Sequence, residues 1–404
     1  MTVPVASFEV TAAEEVGGVH AGTAYVTTRR GVSTITFSYN LDYIRDGGRS
    51  LSPDLPLGGR SATVGLPGAF ADSAPDRWGR LLLTRAASSG DDGGSRFVSE
   101  VDFLLGVADE TRQGHLRYAI GDGPFLQPDG QVPKLIELPT LLHAASVVEA
   151  SSTDDDGAIR ALLDAGSASL GGARPKAAIR DGSVLAIAKF PHRLDQWNVI
   201  AWEKVMLDLA ELAGIEVPAR TLVAVGNAAV LLVERFDRSG ERRIPYVSAM
   251  TLLGATDGEQ YDYEDIAEVI AATGEEVELN LEELFRRAVL SVAINNTDDH
   301  LRNHGFLWGN QGWRLAPVFD LNPNPLLGAA RQTSIHFDAS ERGAREALRA
   351  FAISLGLDEG TVRSVVTAVN DAILSWRTCA TSAGIDGREL RQFAPVFSRS
   401  VTLP

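Results

Sequence analysis

A chain of 404 residues is longer than one ordinary hydrophobic core organises, so two or three compact units are expected. With 45% hydrophobic and 22% charged residues it is globular, and 37 basic against 53 acidic side chains, a formal charge of −16, exclude broad electrostatic binding of nucleic acid or an anionic membrane by this chain alone. The single cysteine, Cys379, excludes an internal disulfide and fits a reducing compartment.

The start, MTVPVASFEVTAAEEV, lacks the basic and apolar segments of a secretory signal, and no apolar run approaches the ~18 residues that span a bilayer. A cytoplasmic protein without a membrane partner is expected. Up to about residue 70, short alternating runs such as AYVTT and STITFSY between glycine-rich turns read as strands of a small sheet. In GAFADSAPDRWGRLLLTRAA, Ser73 or Asp72 can cap and Pro75 can open a helix running through Trp78 to Arg85. SSGDDGGSR, 88 to 96, reads as a loop.

Near 150, SSTDDDG marks a helix start before AIRALLDAG, with Gly166 as its stop, and a boundary is placed there. The expected organisation is 1–150, a β-rich N-terminal module; 151–260, a sheet region with a phosphate loop; and 261–404, a helical lobe. In the middle region VLAIAKF, TLVAV and AVLLVERF read as strands, the last two joined at Gly226-Asn227 by a two-residue hairpin. WNVIAWEKVMLDLAELAG carries apolar residues at helical spacing and stops at Gly214. From 262 onward helical patterns dominate. The fold class is therefore α+β, a β-rich lobe with one helix followed by a mainly helical lobe, which is the bilobed order of a protein kinase.

The chemistry concentrates in NNTDDHLRN, 295 to 303, delivered by the helical run LEELFRRAVLSVAI and followed by a hairpin, GFLWGNQGWRLAP, turning at Gly309 to Gly312, and then by VFDLN. In kinases an Asp orients the substrate hydroxyl, an Asn five residues later holds magnesium, and an Asp beyond a short hairpin bridges metal to phosphate. Asp298, Asn303 and Asp320 reproduce that order. Magnesium needs hard oxygen ligands, and few suffice because phosphates and water complete its octahedron. Either loop alone is also what an ordinary solvated turn contains. Two in series point to metal and phosphate. Asp299 is the alternative catalytic carboxylate, and the spacing to Asn303 favours Asp298. A zinc site at His300 and His304 has no supporting Cys or Glu, so His300 reads as a structural or phosphate-contacting residue.

Upstream, GSASLGGARPKAAI has the small residues that let backbone N–H groups approach phosphate oxygens, with Lys176 to add charge; it lacks the Gly-Lys-Ser/Thr of a Walker A loop. Many such stretches are only turns. Lys189, in the apolar strand AIAKF, needs a partner if it points inward, with Glu203 as a possible carboxylate. In LLVERFDR, backbone groups of Glu234, Arg235 and Phe236 would meet an adenine edge, though a buried Phe beside an ion pair fits equally.

Taken together, LFRRAVLSVAINNTDDHLRNHGFLW, WRLAPVFDLNP, SLGGARPKAA, AIAKFP and LLVERFDR resemble the HipA family of serine/threonine kinases, toxins of bacterial toxin–antitoxin pairs; GAFADSAPDRWGRLLL is similar to that family's small N-terminal subdomain, so the likeness covers nearly the whole chain. The resemblance implies ATP and Mg2+ as cofactors, Asp298 as the catalytic residue, and Asn303 and Asp320 as metal ligands. It further implies phosphate contacts from Gly171, Gly172, Ala173, Arg174, Lys176, Lys189 and His300, and adenine contacts from Glu234 to Phe236. Arg174 stands where family members often carry Gln. The family's autophosphorylated serine would be Ser169, with Ser167 as the neighbour able to take that role, and a phosphate there would eject the loop and switch the enzyme off. The implied partners are a protein substrate, such as an aminoacyl-tRNA synthetase, and a small helix-turn-helix, HipB-like antitoxin, with DNA reached only through the antitoxin. Two other readings stand beside this one: a small-molecule or lipid kinase of the same fold, and a non-catalytic nucleotide-binding subunit of a repressor complex.

Overall fold

The structure, a computed structural model, describes residues 5–14, 17–88, 98–126, 132–150, 155–169 and 172–403. The expected loop at 88–96 lies almost wholly outside these, as do most of SSTDDDG and Gly171. The chain forms two compact units, Met1–Leu194 with Val223–Val247, and Asp195–Leu222 with Ser248–Pro404. The position near 150 falls inside the first of them.

That first unit holds two sheets with separate cores. Strands β1 (Ser7–Ala12), β2 (Val19–Arg29), β3 (Val32–Tyr39), β4 (Arg60–Val64) and β5 (Leu116–Ala119) form a sheet in the order β4-β3-β2-β1-β5. Alternation decides its buried face: Phe8, Val10 and Ala12 of β1 point inward, as do Ile35, Phe37 and Tyr39 of β3. Phe8, Phe37, Phe70 and Tyr118 close this core with edge-on and tilted rings 5.6 to 6.0 Å apart.

Strands β6 (Lys176–Asp181), β7 (Val184–Lys189), β8 (Arg220–Val225) and β9 (Ala228–Glu234) form the second sheet in the order β6-β7-β9-β8. Gly226, at φ 59°, makes the β8–β9 turn that the Gly-Asn pair predicts. Helices Arg77–Ser88, Leu138–Ala150 and Asp156–Asp164 bury Trp78, Leu82, Leu141, Ile159 and Leu162 against Ala177, Ile179, Ala186 and Val230 of the sheet. Asp155 caps the last of these helices by accepting the Ala158 N–H at 3.0 Å, and Gly166 leaves it at φ 65°.

One helix expectation is corrected. The stretch from Gly68 is two helices, Gly68–Asp72 and Arg77–Ser88, with the second beginning at Arg77 rather than Pro75. Ser73 closes the first helix by donating its hydroxyl to the Phe70 carbonyl at 2.9 Å. Pro75 disfavours helical geometry at Ala74, so the next helix restarts from the Asp76 carbonyl, which accepts from Arg80 N–H at 2.8 Å.

The second unit is mainly helical. Helix Val199–Leu212, capped by Asn198 and released at Gly214 (φ 81°), supplies Trp202, fully buried and stacked 4.2 Å from Phe393. Helix Val277–Ala293 leads to the 295–303 stretch. The hairpin beyond it is as read: Gly305–Trp308 pairs with Trp313–Leu315 in antiparallel register, and Gly309 N–H closes the turn on the Gly312 carbonyl at 2.8 Å. Glu275 accepts the Asn310 and Gln311 N–H groups, which fixes the turn from outside. No helix among the described residues is long and apolar enough to cross a membrane. The class is α+β, with a sheet-rich and a mainly helical part, as the sequence predicts.

Candidate active site

In the second unit, helix Val277–Ala293 ends at Ile294, and Asn295 adopts a left-handed φ of 52°, which turns the chain into the acidic loop. Asn295 donates its amide to the carbonyls of Asn324 (2.7 Å) and Leu326 (3.2 Å), Asn324 donates to the Thr297 hydroxyl (2.8 Å), and Gln332 N–H donates to the Thr297 carbonyl (3.2 Å). The loop holding Asp298 is thus strapped to the segment that follows Asp320.

Adjacent carboxylates then meet opposite fates. Asp299 is buried: Oδ2 accepts the Tyr263 hydroxyl at 2.5 Å and the Ser291 hydroxyl at 3.1 Å, and Oδ1 lies 3.0 Å from Nε2 of His304. Burial alone would raise its pKa, but the charge of His304 and these hydrogen bonds outweigh it and hold the carboxyl below its usual range. Burial and the Asp299 charge push the Tyr263 phenol well upward, so it stays a donor. Asp298 is exposed, with Oδ1 accepting the Gln332 amide at 2.5 Å. Asp299 is thereby occupied as a structural anion. Of the two, Asp298 is the one a substrate can reach.

The five-residue spacing has a local cause. His300 begins a single 3-10 turn, Leu301–Asn303, and the Asn303 amide donates to the Asp298 carbonyl at 3.1 Å. With the nitrogen so used, Oδ1 is the atom Asn303 would offer a cation. Asp320 sits at φ 55°, a left-handed conformation unfavourable for a non-glycine residue and found where a site over-determines the backbone. Two residues on, the Asn322 amide donates to the Asp320 carbonyl at 3.4 Å while its buried Oδ1 has no hydrogen-bond partner. Amide and carboxylate oxygens with an orphaned acceptor nearby fit a hard cation such as Mg2+, whose coordination phosphate and water would complete. No group of three or more His, Cys, Asp or Glu among the described residues could hold a metal, and His304 is engaged with Asp299.

In the first unit the β6–β7 register places Lys176 directly opposite Lys189, so both side chains leave the same face of the sheet, and both are buried. Gly172 donates its N–H to the Asp76 carboxylate, and its carbonyl accepts from Trp78 N–H at 3.4 Å. In the sequence, Asp76 and Trp78 read only as part of a helical run. Ala173 and Arg174 follow in the same turn. Ser167 and Ser169 form a buried 3-10 turn in which the Ser169 hydroxyl donates to the Gly166 carbonyl at 2.6 Å.

The Arg235 side chain is committed within the first unit. Its guanidinium is buried in a double ion pair with Asp237 (2.5 and 2.7 Å) and donates to the Thr111 carbonyl at 2.9 Å, while its N–H donates to the Leu185 carbonyl at 2.9 Å. Arg238 joins at 2.8 Å from Asp237, which also accepts the Gly114 N–H at 2.7 Å. This network ties the end of β9 to the 111–114 turn. Of the three residues expected at an adenine edge, Arg235 thus has its N–H used within the sheet, and Glu234 is exposed. Glu203 is buried on helix Val199–Leu212. Spacing misses Gln332 and Tyr263, which lie 34 and 36 positions from the aspartates they support, and Asn322, which stands two residues after Asp320 inside VFDLN.

Comparison with known proteins supplies the remaining constraint. The HipA-like C-terminal domain family matches residues 168–377. A Haemophilus influenzae protein named "Putative kinase" is 28% identical over 179 residues, 39% of this chain and 51% of the relative, so the chain spans about half the length of that relative. Among solved structures, a chain of the Shewanella oneidensis MR-1 toxin–antitoxin complex of HipA, HipB and operator DNA matches with a TM-score of 0.69 at 17% identity, covering 97% of this chain and 95% of that one; the likeness is one of fold.

Proposed function

Since the chain belongs to the HipA-like family, whose model covers 168–377, we propose that it is an ATP- and Mg2+-dependent serine/threonine protein kinase acting as the toxin of a toxin–antitoxin pair. The observation that carries this reading is the division of labour between Asp298 and Asp299. A buried, fully bonded carboxylate anchors the loop, and its exposed neighbour is presented to a substrate hydroxyl.

Phosphoryl transfer demands positioning and charge neutralisation more than covalent chemistry. Asp298 orients the attacking hydroxyl and accepts its proton. Asn303 and Asp320 would hold magnesium, which when bound neutralises phosphate charge. Lys176 and Lys189 contact the phosphates, backbone groups of the Gly172–Arg174 turn and His300 add to that contact, and Glu234 and Phe236 meet the adenine. Ser169 supports the regulatory part of the reading. A phosphoserine carries about −1.5 to −2 charges, which a buried turn bonded to Gly166 does not admit, so the modified turn must leave its place and carry the phosphate loop with it. The solved complex of the fold relative contains HipB and operator DNA. By analogy we assign this chain a HipB-like antitoxin, with DNA reached through it.

The test uses the full chain, γ-labelled Mg-ATP and a bacterial extract. Label should appear on serine or threonine of protein, and Asp298→Ala should abolish transfer while ATP binding persists. Undiminished transfer by that variant overturns the assignment. Label in small metabolites instead favours a small-molecule or lipid kinase, and binding without turnover, with or without magnesium, a non-catalytic subunit.

A further inference from the structure

We infer that Gln332 is a positioning residue for Asp298, holding the carboxylate in the rotamer that meets the substrate hydroxyl. The inference rests on the kinase reading above. Its physical basis is the contact between the Gln332 Nε2 and Asp298 Oδ1 at 2.5 Å, made by an exposed residue that packing alone would leave to swing in solvent.

The backbone of Gln332 is fixed on both sides. Arg331 N–H donates to the Ala339 carbonyl at 3.0 Å, Gln332 N–H to Thr297 at 3.2 Å, and Thr333 N–H to the Asp299 carbonyl at 3.1 Å. These bonds lay the segment along the acidic loop itself. Farther out, Ile335 and Asp338 exchange backbone hydrogen bonds at 3.1 and 3.0 Å around His336 and Phe337, both left-handed at φ 45° and 64°. Such a turn ordinarily takes Asn-Gly. Here carboxylates hold it: Asp262 accepts the N–H groups of His336 (3.0 Å) and Phe337 (2.6 Å), and Glu264 accepts from His336 N–H at 3.0 Å. The strained turn and its anchors make the 331–339 hairpin a rigid mount, and Gln332 is the side chain it delivers to Asp298.

The chemistry of the amide suits the task. A carboxylate that must accept a proton is best oriented by a neutral donor, because a cation at the same distance would stabilise the anion and reduce its basicity. Gln332 fixes the direction of Asp298 without adding charge. Its contribution should therefore appear in the chemical step.

The experiment measures initial rates of label transfer from γ-labelled Mg-ATP to protein in a bacterial extract, using the full chain. Gln332→Ala should lower kcat about 10- to 100-fold with the KM for ATP unchanged, the loss expected for misplacing one reacting group. Gln332→Glu supplies a readout that a structural role would not move. Protonated, the new carboxyl donates as the amide does; ionised, it repels Asp298. The ratio of this variant's rate to wild type should fall as pH rises from 5 to 8, values chosen to cross a carboxyl raised by its anionic neighbour. Wild-type kcat in Gln332→Ala, or a flat ratio in Gln332→Glu, overturns the inference while Asp298→Ala remains inactive. Activity in Asp298→Ala would instead overturn the kinase assignment beneath it.

Discussion

Adjacent aspartates at 298 and 299 show how the same side chain acquires different work from its surroundings. Asp299 is surrounded by Tyr263, Ser291 and His304, and its pKa is held down against the upward push of burial. A depressed folded pKa gives stability that is present above the unfolded value near 4 and is lost as pH falls through the folded one. Asp299→Asn should therefore flatten the acid limb of the stability curve below about pH 4 and, by weakening the acceptor of the buried Tyr263 and Ser291 hydroxyls, cost about 1–3 kcal/mol at neutral pH. Urea unfolding at a series of pH values checks both. Asp298, exposed, should contribute little stability, so Asp298→Asn should melt like wild type while losing phosphoryl transfer. A thermal shift with that variant is the control that separates catalysis from folding.

Elements carry the constraints that single residues cannot. The hairpin Gly305–Trp308 to Trp313–Leu315 conveys the chain from Asn303 to Asp320, and a Cβ on Gly312 would lie 2.7 to 2.9 Å from backbone atoms of Thr273, Gly274 and Glu275. Backbone cannot rotate away as a side chain does. Gly312→Ala should cost about 1–3 kcal/mol by overpacking and, if Asp320 binds magnesium as proposed, shift it enough to raise the magnesium requirement for transfer. The 331–339 hairpin has a pH dependence of its own. Glu264, raised by burial and by its contact with Asp262 to about 7, favours its protonated form in the folded protein. A raised folded value means the associated stability is present below the unfolded pKa near 4.5 and lost as pH rises through about 7, so amide exchange at His336 and Phe337 should show falling protection across that window, and Glu264→Gln should remove the trend. Exchange protection that ignores pH there would contradict the assignment.

At the scale of the whole molecule, chain order and compact units part company. Residues 195–222 belong with 248–404, and 223–247 with 1–194. The helix Val199–Leu212 is therefore an insert in the helical unit, where Trp202 stacks on Phe393 at 4.2 Å and donates Nε1 to Glu389 at 3.0 Å. Trp202→Ala should cost about 3–5 kcal/mol, with hydrogen exchange rising in helices Gly387–Phe397 and Glu359–Leu374. A multi-unit chain also need not melt in one step, so the measurement should follow segments rather than one midpoint.

Local patterning made much of this legible. Period-two and helical runs gave the strands and helices, the Gly-Asn pair gave the β8–β9 turn, and the order Asp298, Asn303, hairpin, Asp320 was readable because those residues are placed by short-range geometry: a 3-10 turn bonds Asn303 back to Asp298, and a four-residue turn returns the chain. What no local pattern carried was which aspartate would be buried, why Arg235 pairs with Asp237 beneath the 111–114 turn, and that Gln332 reaches Asp298. Those depend on contacts between residues far apart in the chain: Tyr263 lies 36 positions from Asp299, and Gln332 lies 34 from Asp298. Burial, and with it the pKa and reach of a side chain, is a property of what packs around it in three dimensions, so the residue types were set by the sequence alone and their division into scaffold and chemistry was decided only on folding.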